Sequence, residues 1–227
     1  MADEKSVAVI VPFLNEMQAL PSLVEALLRL GPQQIIFVDG GSDDGGKEWL
    51  STQSSARVKV VSCAAGRAQQ MNYGAGLATA EILVFLHADT RLPEQAMTEV
   101  QKGVWGRFDI RFSDNHSPKR LSLAVVQRMI NLRSRLSNVA TGDQAMFVRR
   151  CLFEKVNGFD NIPLMEDVQL SKTLKQLHAP YCSSCKVLTS ARRWKTGGVW
   201  RTIVLMWFLR FAYLIGVSPE RLSRLYR

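Results

Sequence analysis

Short apolar, β-branched runs alternate with stretches of helical spacing through the first part of the chain, and this alternation constrains the fold more than any other feature. Val7 to Val11 (VAVIV), Ile35 to Val38 (IIFV), Val58 to Val61 (VKVV) and Ile82 to Leu86 (ILVFL) read as strands, mostly of the kind buried on both faces. Between them, Glu16 to Leu30 spaces its leucines as a helix does and stops at Gly31-Pro32. Gly46 to Thr52 and Ala68 to Ala80 read as two further helices. Strand–helix alternation requires parallel βαβ units with right-handed crossovers. The expected fold class is therefore α/β, an open, mostly parallel sheet with helices on both faces.

After Pro93 the pattern loosens into a mixed second half. Pro93 to Gly103 reads as a helix, Arg107 to Phe112 (RFDIRF) as a half-buried strand, and Pro118 to Leu136 as a long helix. Ala145 to Val148 reads as a strand, and Asp167 to Leu177, Gly197 to Ile215 and the segment from Pro219 as helices. No repeat and no Pro/Gly/Ser linker divides the chain. At 227 residues, 47% apolar and 22% charged, it can bury a substantial core, which excludes a disordered chain. Four cysteines at this length do not make a disulfide scaffold, and Cys182 and Cys185 lack the second pair that a structural zinc site needs.

The net charge of +9 is unevenly placed. Lys186 to Arg227 carries nine basic residues against Glu220 alone, whereas the rest of the chain is close to neutral. That asymmetry fits an anionic partner, a membrane surface or phosphates, or else a solvated basic helix. The start, MADEKSVAVIVPF, has neither the charge nor the apolar length of a secretory or transit segment. Thr202 to Leu209 is too short to span a bilayer. The expected location is cytoplasmic, with peripheral docking on the inner face of the membrane as an extension of it.

In open parallel sheets, ligands bind beyond the carboxyl ends of the strands. Here those ends deliver Pro12-Phe13-Leu14-Asn15-Glu16, then Asp39-Gly40-Gly41-Ser42-Asp43-Asp44, then His87-Ala88-Asp89-Thr90. Carboxylates so placed accept hydrogen bonds from ribose hydroxyls or base edges; Asp39 reads as a ligand and Asp43 and Asp44 as helix caps. Neither GxGxxG nor GxxxxGK[ST] occurs, so a nicotinamide oxidoreductase and a P-loop enzyme lack their fingerprints.

VIVPFLNE, IIFVDGGSDDG and GRAQQMNYGAGLATAEILVFLHADT resemble the nucleotide-sugar half of family 2 glycosyltransferases, which have the GT-A fold. TGDQAMFVRR, GFDNIPLMEDVQLSKTL and ARRWKTGG are similar to the acceptor half of a small, single-domain bacterial branch of that family, often labelled arsenosugar-biosynthesis-like. The resemblance implies a catalytic domain over 1–196, with a nucleotide-sugar half at about 1–92 and an acceptor half at about 93–196, and a basic, aromatic helical extension over 197–227. It implies an inverting glycosyltransferase of hexosyltransferase type, moving a sugar from a nucleotide diphosphate sugar, UDP-sugar favoured, to an acceptor hydroxyl or a lipid phosphate.

Residue by residue, the resemblance assigns donor binding to Pro12, Phe13, Asn15, Glu16, Asp39, Gly40, Gly41, Arg67, Gln70, Asn72, His87, Ala88 and Asp89. The family's Asp-x-Asp motif reads His87-Ala88-Asp89, so Asp89 is the ligand expected for Mn²⁺ or Mg²⁺, and His87 is either a second ligand or a hydrogen-bonding partner of the nucleotide. Asp167 takes the position of the base, beside Glu166. Trp105, Gly142, Asp143, Gln144, Arg193 and Trp194 are assigned to the sugar and acceptor pocket. Ser190 stands where processive relatives carry Gln, which argues against polymer synthesis. A non-catalytic nucleotide-sugar binder or membrane-docked accessory protein is the alternative. The tail, whose Arg201 and Arg210 fall on opposite helix faces, packs on the domain or docks on a lipid surface. No nucleic-acid recognition motif accompanies its charge.

Overall fold

The computed structural model describes residues 4–53, 55–113, 120–192, 194 and 198–226. Its strands are β1 (Val7–Phe13), β2 (Gln34–Asp39), β3 (Val58–Ser62), β4 (Ile82–Phe85), β5 (Thr90–Arg91), β6 (Trp105–Phe112), β7 (Met146–Arg149) and β8 (Tyr181–Thr189). They form one eight-stranded sheet in the order β3-β2-β1-β4-β7-β6-β8-β5. β1 runs parallel to β2 and β4, and β2 runs parallel to β3. β7 is antiparallel to β4 and β6, β8 lies parallel to β6, and β5 is antiparallel to β8. The expected parallel half and mixed half are both present.

The period of two explains why the strand runs are apolar throughout. Val7, Val9, Val11 and Phe13 face one core with α1 (Leu20–Leu30), while Ala8 and Ile10 face the other with α3 (Arg67–Leu77). α1 buries Leu20, Leu23, Val24 and Leu27 on that sheet. α3 lies so close that a Cβ on Gly74 would meet Ile10 Cγ2 at 2.6 Å and Val38 Cγ2 at 3.0 Å.

Several expectations are corrected. α1 begins at Leu20 rather than Glu16, because Met17 N–H donates to the Asp44 carboxylate at 2.8 Å and the segment before the helix is a turn. The helix expected over Pro93 to Gly103 contracts to α4 (Ala96–Glu99) and a 3₁₀ turn. β6 is not half-buried: of its residues only Arg111 is exposed. Its charges are accommodated internally, since Asp109 accepts from Arg107 at 3.1 Å and from Arg135 at 2.9 Å. β8 was not expected at all. A Cβ on Gly106 would lie 2.1 Å from Tyr181 O, so β6 and β8 approach at a point only glycine allows.

The remaining helices are α2 (Gly46–Ser51), α5 (Arg120–Ser137), α6 (Arg150–Lys155), α7 (Glu166–Leu177), α8 (Val199–Leu214) and α9 (Pro219–Tyr226). A third apolar cluster joins Leu209, Ala212 and Leu222 of α8 and α9 to Val139, Leu164, Met165 and Val168. The C-terminal helices thus pack over the start of α7. Among the described residues, no helix is long and apolar enough to cross a membrane.

Candidate active site at the strand ends

A cavity of about 1390 Å³ opens beyond the carboxyl ends of β1 and β4 and extends between α5, α7 and α8. It brings together Pro12, Phe13, Glu16, Arg67, Gln70, His87, Ala88, Asp89, Gly142, Asp143, Glu166, Asp167 and Trp194 from the expected set.

One corner of the cavity is built by the entry to α7. Met165 takes a left-handed φ of 70°, so the chain turns and both acids fall in the first helical turn. Glu166 is buried and accepts from Arg67 at 3.5 Å. Asp167 accepts from Gly142 N–H at 2.6 Å and from Val168 N–H at 2.7 Å. Withdrawal from water, then the neighbouring Glu166 charge, push the Asp167 carboxyl up to about 7; Arg67 and the two N–H groups offset only part of this. It therefore sits near the protonation balance that a general base needs at neutral pH.

His87 packs against the same corner. Its Nε2 is buried and has no hydrogen-bond partner among the described residues. A Cβ on Gly142 would meet that nitrogen at 2.5 Å, which explains the glycine. Burial, then the Arg67 charge, lower His87 to about 3, so the imidazole is neutral.

Asp89, two residues on from His87, also lines the cavity. Burial and then Glu16 raise its carboxyl above the ordinary range, against Arg192 and Thr90. Arg192 donates to Glu16 at 2.6 Å. Among the described residues no three His, Cys, Asp or Glu side chains gather as a closed metal cage. A hard divalent cation that also binds phosphates uses one or two protein carboxylates. Asp89, with Glu16 near enough to hinder its ionisation, fits that requirement. His87 fits it less well, since its Nε2 abuts Gly142.

Other expected residues have structural work. Asp39 accepts from Ser42 N–H at 2.9 Å and Ser62 Oγ at 3.3 Å; burial raises its carboxyl, but the Ser42, Gly41 and Ser62 hydrogen bonds prevail and hold it below the ordinary value. Asn15 Oδ1 accepts from Asp43 N–H at 2.9 Å, and Gly40 and Gly41 continue that turn, Gly41 at a φ of 96°. Gln70, though it borders the cavity, donates to Phe13 O at 2.9 Å and Val38 O at 2.8 Å, tying β1 to β2. Asn72 exchanges both its amide hydrogen bonds with the Phe159 backbone, at 2.8 and 2.9 Å, outside the cavity. Trp105 is a core residue whose Nε1–H donates to His178 O at 2.6 Å. Gln144 is buried and accepts from Ser134 Oγ at 2.9 Å and Thr141 Oγ1 at 3.1 Å. These two residues do not line the cavity, where they were expected to form a sugar and acceptor pocket. Trp194 lines it while packing edge-on to Phe112, with centroids 6.0 Å apart. Arg193 lies outside the described residues.

Three cavity arginines, Arg133, Arg192 and Arg210, were not among the expected site residues. Arg133, on α5, has a buried Nε without a partner among the described residues. Burial draws its guanidinium down while Asp143 and Asp167 push it back. Arg192 is the neighbour of the arginine that was chosen; register within ARRW gave no means of telling them apart.

Comparison with known proteins agrees with this geometry. The profile described as "Glycosyl transferase family 2" matches residues 8–156. An undecaprenyl-phosphate 4-deoxy-4-formamido-L-arabinose transferase from Pectobacterium atrosepticum is 30% identical over 122 residues, 48% of this chain and 36% of that protein. The enzyme of the same name from Yersinia enterocolitica is 24% identical over 157 residues, 64% of this chain and 48% of that protein. The chain therefore spans about a third to a half of the length of these relatives. Among solved structures, a Pyrobaculum calidifontis mannosyltransferase in complex with GDP-Man and Mn²⁺ superposes with a TM-score of 0.67 at 19% identity, covering 98% of this chain and 68% of that one. S. aureus TarS 1-349 superposes with a TM-score of 0.63 at 16% identity, covering 82% and 60%. The fold is GT-A, and the chain belongs to glycosyltransferase family 2.

Proposed function

We propose that this glycosyltransferase moves a sugar, with inversion, from a nucleotide diphosphate sugar to an acceptor oxygen, and that the acceptor is a lipid phosphate. The observation that carries the transfer chemistry is Asp167, a cavity carboxylate whose surroundings bring it to about 7. Single displacement requires one base and no protein nucleophile. Asp167 takes the remaining proton of a phosphate monoanion, or that of a hydroxyl. Arg67 and Arg133 supply positive charge within the cavity, Arg67 toward the diphosphate and Arg133 toward the acceptor. Asp89, assisted by Glu16, would hold Mn²⁺ or Mg²⁺, which supplies Lewis-acid stabilisation of the departing diphosphate. Asp39 would serve the nucleoside. The lipid-phosphate acceptor is supported by the names of the undecaprenyl-phosphate relatives and by the apolar walls that α5 and α8 give the cavity. Such an acceptor would bring the protein to a membrane surface, on the cytoplasmic side where nucleotide sugars are held.

The test is thermal stabilisation by UDP-, GDP-, CDP- and dTDP-sugars, each with Mn²⁺, Mg²⁺ or EDTA. Ligand at 100 times its Kd adds about 2.7 kcal/mol. One nucleotide should shift the wild type only with metal, and the shift should vanish in Asp89→Ala. A shift unchanged by EDTA would remove the metal from the reading; no shift with any donor would remove the reading itself.

A further inference from the structure

Helices α5 and α8 fold with apolar side chains on both sides. Inward, Leu123 and Val126 of α5 and Leu209 and Ala212 of α8 are buried. Outward, α8 leaves Trp200, Val204, Trp207, Phe208, Phe211 and Leu214 each more than half exposed. At about 100° per residue these positions fall within one stripe, and Arg201 and Arg210 stand along its two edges. The two arginines therefore frame the apolar face rather than interrupt it. α5 repeats the arrangement: Leu121, Val125, Leu132 and Leu136 form an exposed stripe, with exposed Arg128 at its margin. The two helices pack against one another. The cavity is lined between them by Met129, Leu132, Met206 and Trp207, so both stripes run to its mouth.

We propose that α5 and α8 together form one docking face for an anionic bilayer leaflet, which holds the cavity mouth at headgroup level. This inference rests on the lipid-phosphate reading of the acceptor and adds the surface through which that acceptor enters. Aromatic and aliphatic side chains on one face with basic residues at its margins are the composition of an interfacial helix. The charge is complementary to anionic lipid, with nine basic residues and one acidic residue over Lys186 to Arg227. Face-to-face packing of two copies would instead oppose these arginines.

The test is flotation of the 227-residue protein with phosphatidylglycerol-containing or purely phosphatidylcholine vesicles. Two exposed pairs away from the cavity are replaced, Leu121→Glu with Val125→Glu on α5, and Phe208→Glu with Phe211→Glu on α8. Donor-nucleotide affinity, measured in parallel, should stay within two-fold. Wild type should float with the anionic vesicles, and each pair should reduce partitioning at least ten-fold. Arg128→Gln with Arg201→Gln should weaken anionic binding by about five-fold per arginine and leave phosphatidylcholine binding unchanged. Flotation unaffected by the α5 pair would overturn the joint face. A wild type that does not float, or a dimer that either pair converts to monomer, would overturn the membrane. Failure of nucleotide binding in a wild type that still floats would count against the proposed reaction instead.

Discussion

At the scale of single residues, the corner of the cavity at the entry to α7 is a coupled unit of Gly142, His87 and Asp167. A methyl group at position 142 would sit 2.5 Å from His87 Nε2 and 2.7 Å from its Cε1. Gly142→Ala should therefore cost about 1–3 kcal/mol by overpacking and displace the N–H that Asp167 accepts. Removing the ring as well, in Gly142→Ala with His87→Ala, should recover part of that loss. A double-mutant cycle in urea would check this, and strict additivity would show that the two residues do not touch. Asp167 makes a separate prediction through pH. A base that titrates at about 7 is active above that pH, so kcat/KM should climb to a plateau as pH rises through 7. Asp167→Asn should lose about 10²–10⁴-fold with a hydroxyl acceptor at every pH. With a lipid phosphate the deficit should shrink above neutrality, because the second phosphate proton leaves at about pH 6 without help. The sign for stability is opposite. A carboxyl raised on folding favours the native state below its unfolded pKa and loses that contribution as pH rises through 7. A pH series of urea midpoints should show this decline in wild type and its absence in Asp167→Asn.

At the scale of elements, what the sequence made legible follows from which interactions are local. β1, β2 and β4 read correctly because strands buried on both faces leave continuous apolar runs, β3 because its valines mark an edge strand, and α1 and α3 because their spacing is helical. β8 was illegible since YCSSCKVLT has small and polar residues that pair with β6, far away in sequence. β6 misled for a related reason: its Arg107 and Asp109 resemble a solvated face until Arg135 arrives from α5. The site followed the same rule. Strand-end residues such as Asp89 reach the cavity by their position in the sheet, whereas Arg133 owes its place to helix packing. Gln70 and Asn72 show the converse, since polar residues beside a site were assigned to ligand when their amides join elements. Gln70 donates to two strand-end carbonyls, so Gln70→Ala should cost about 1–3 kcal/mol for buried acceptors left unpaired. Gln70→Glu should cost more, because it removes the donors and adds a buried charge. Urea unfolding would rank the two, and equal costs would exclude the clamp.

At the scale of the whole molecule, three apolar clusters divide the work. Two cover the faces of the sheet and fix the strand ends that border the cavity. The third, where α8 and α9 close over Leu164, Met165 and Val168, packs on the turn into α7 from which Asp167 projects. The strand ends and the surroundings of Asp167 are thus supported by different parts of the core, and damage to one should spare the other. Leu209 is fully buried in the third cluster. Leu209→Ala should destabilise the fold by about 2–5 kcal/mol, yet leave β1, β2 and β4 intact, so nucleotide-sugar affinity should change less than two-fold. Water admitted beside α7 should relieve the desolvation of Asp167. The acidic limb of the pH–rate profile should then move below 7, toward the ordinary carboxylate range, with a lower plateau. An equal loss in donor affinity would show a single cooperative core. An unmoved limb would mean that Glu166, rather than the cover of α8, sets the base.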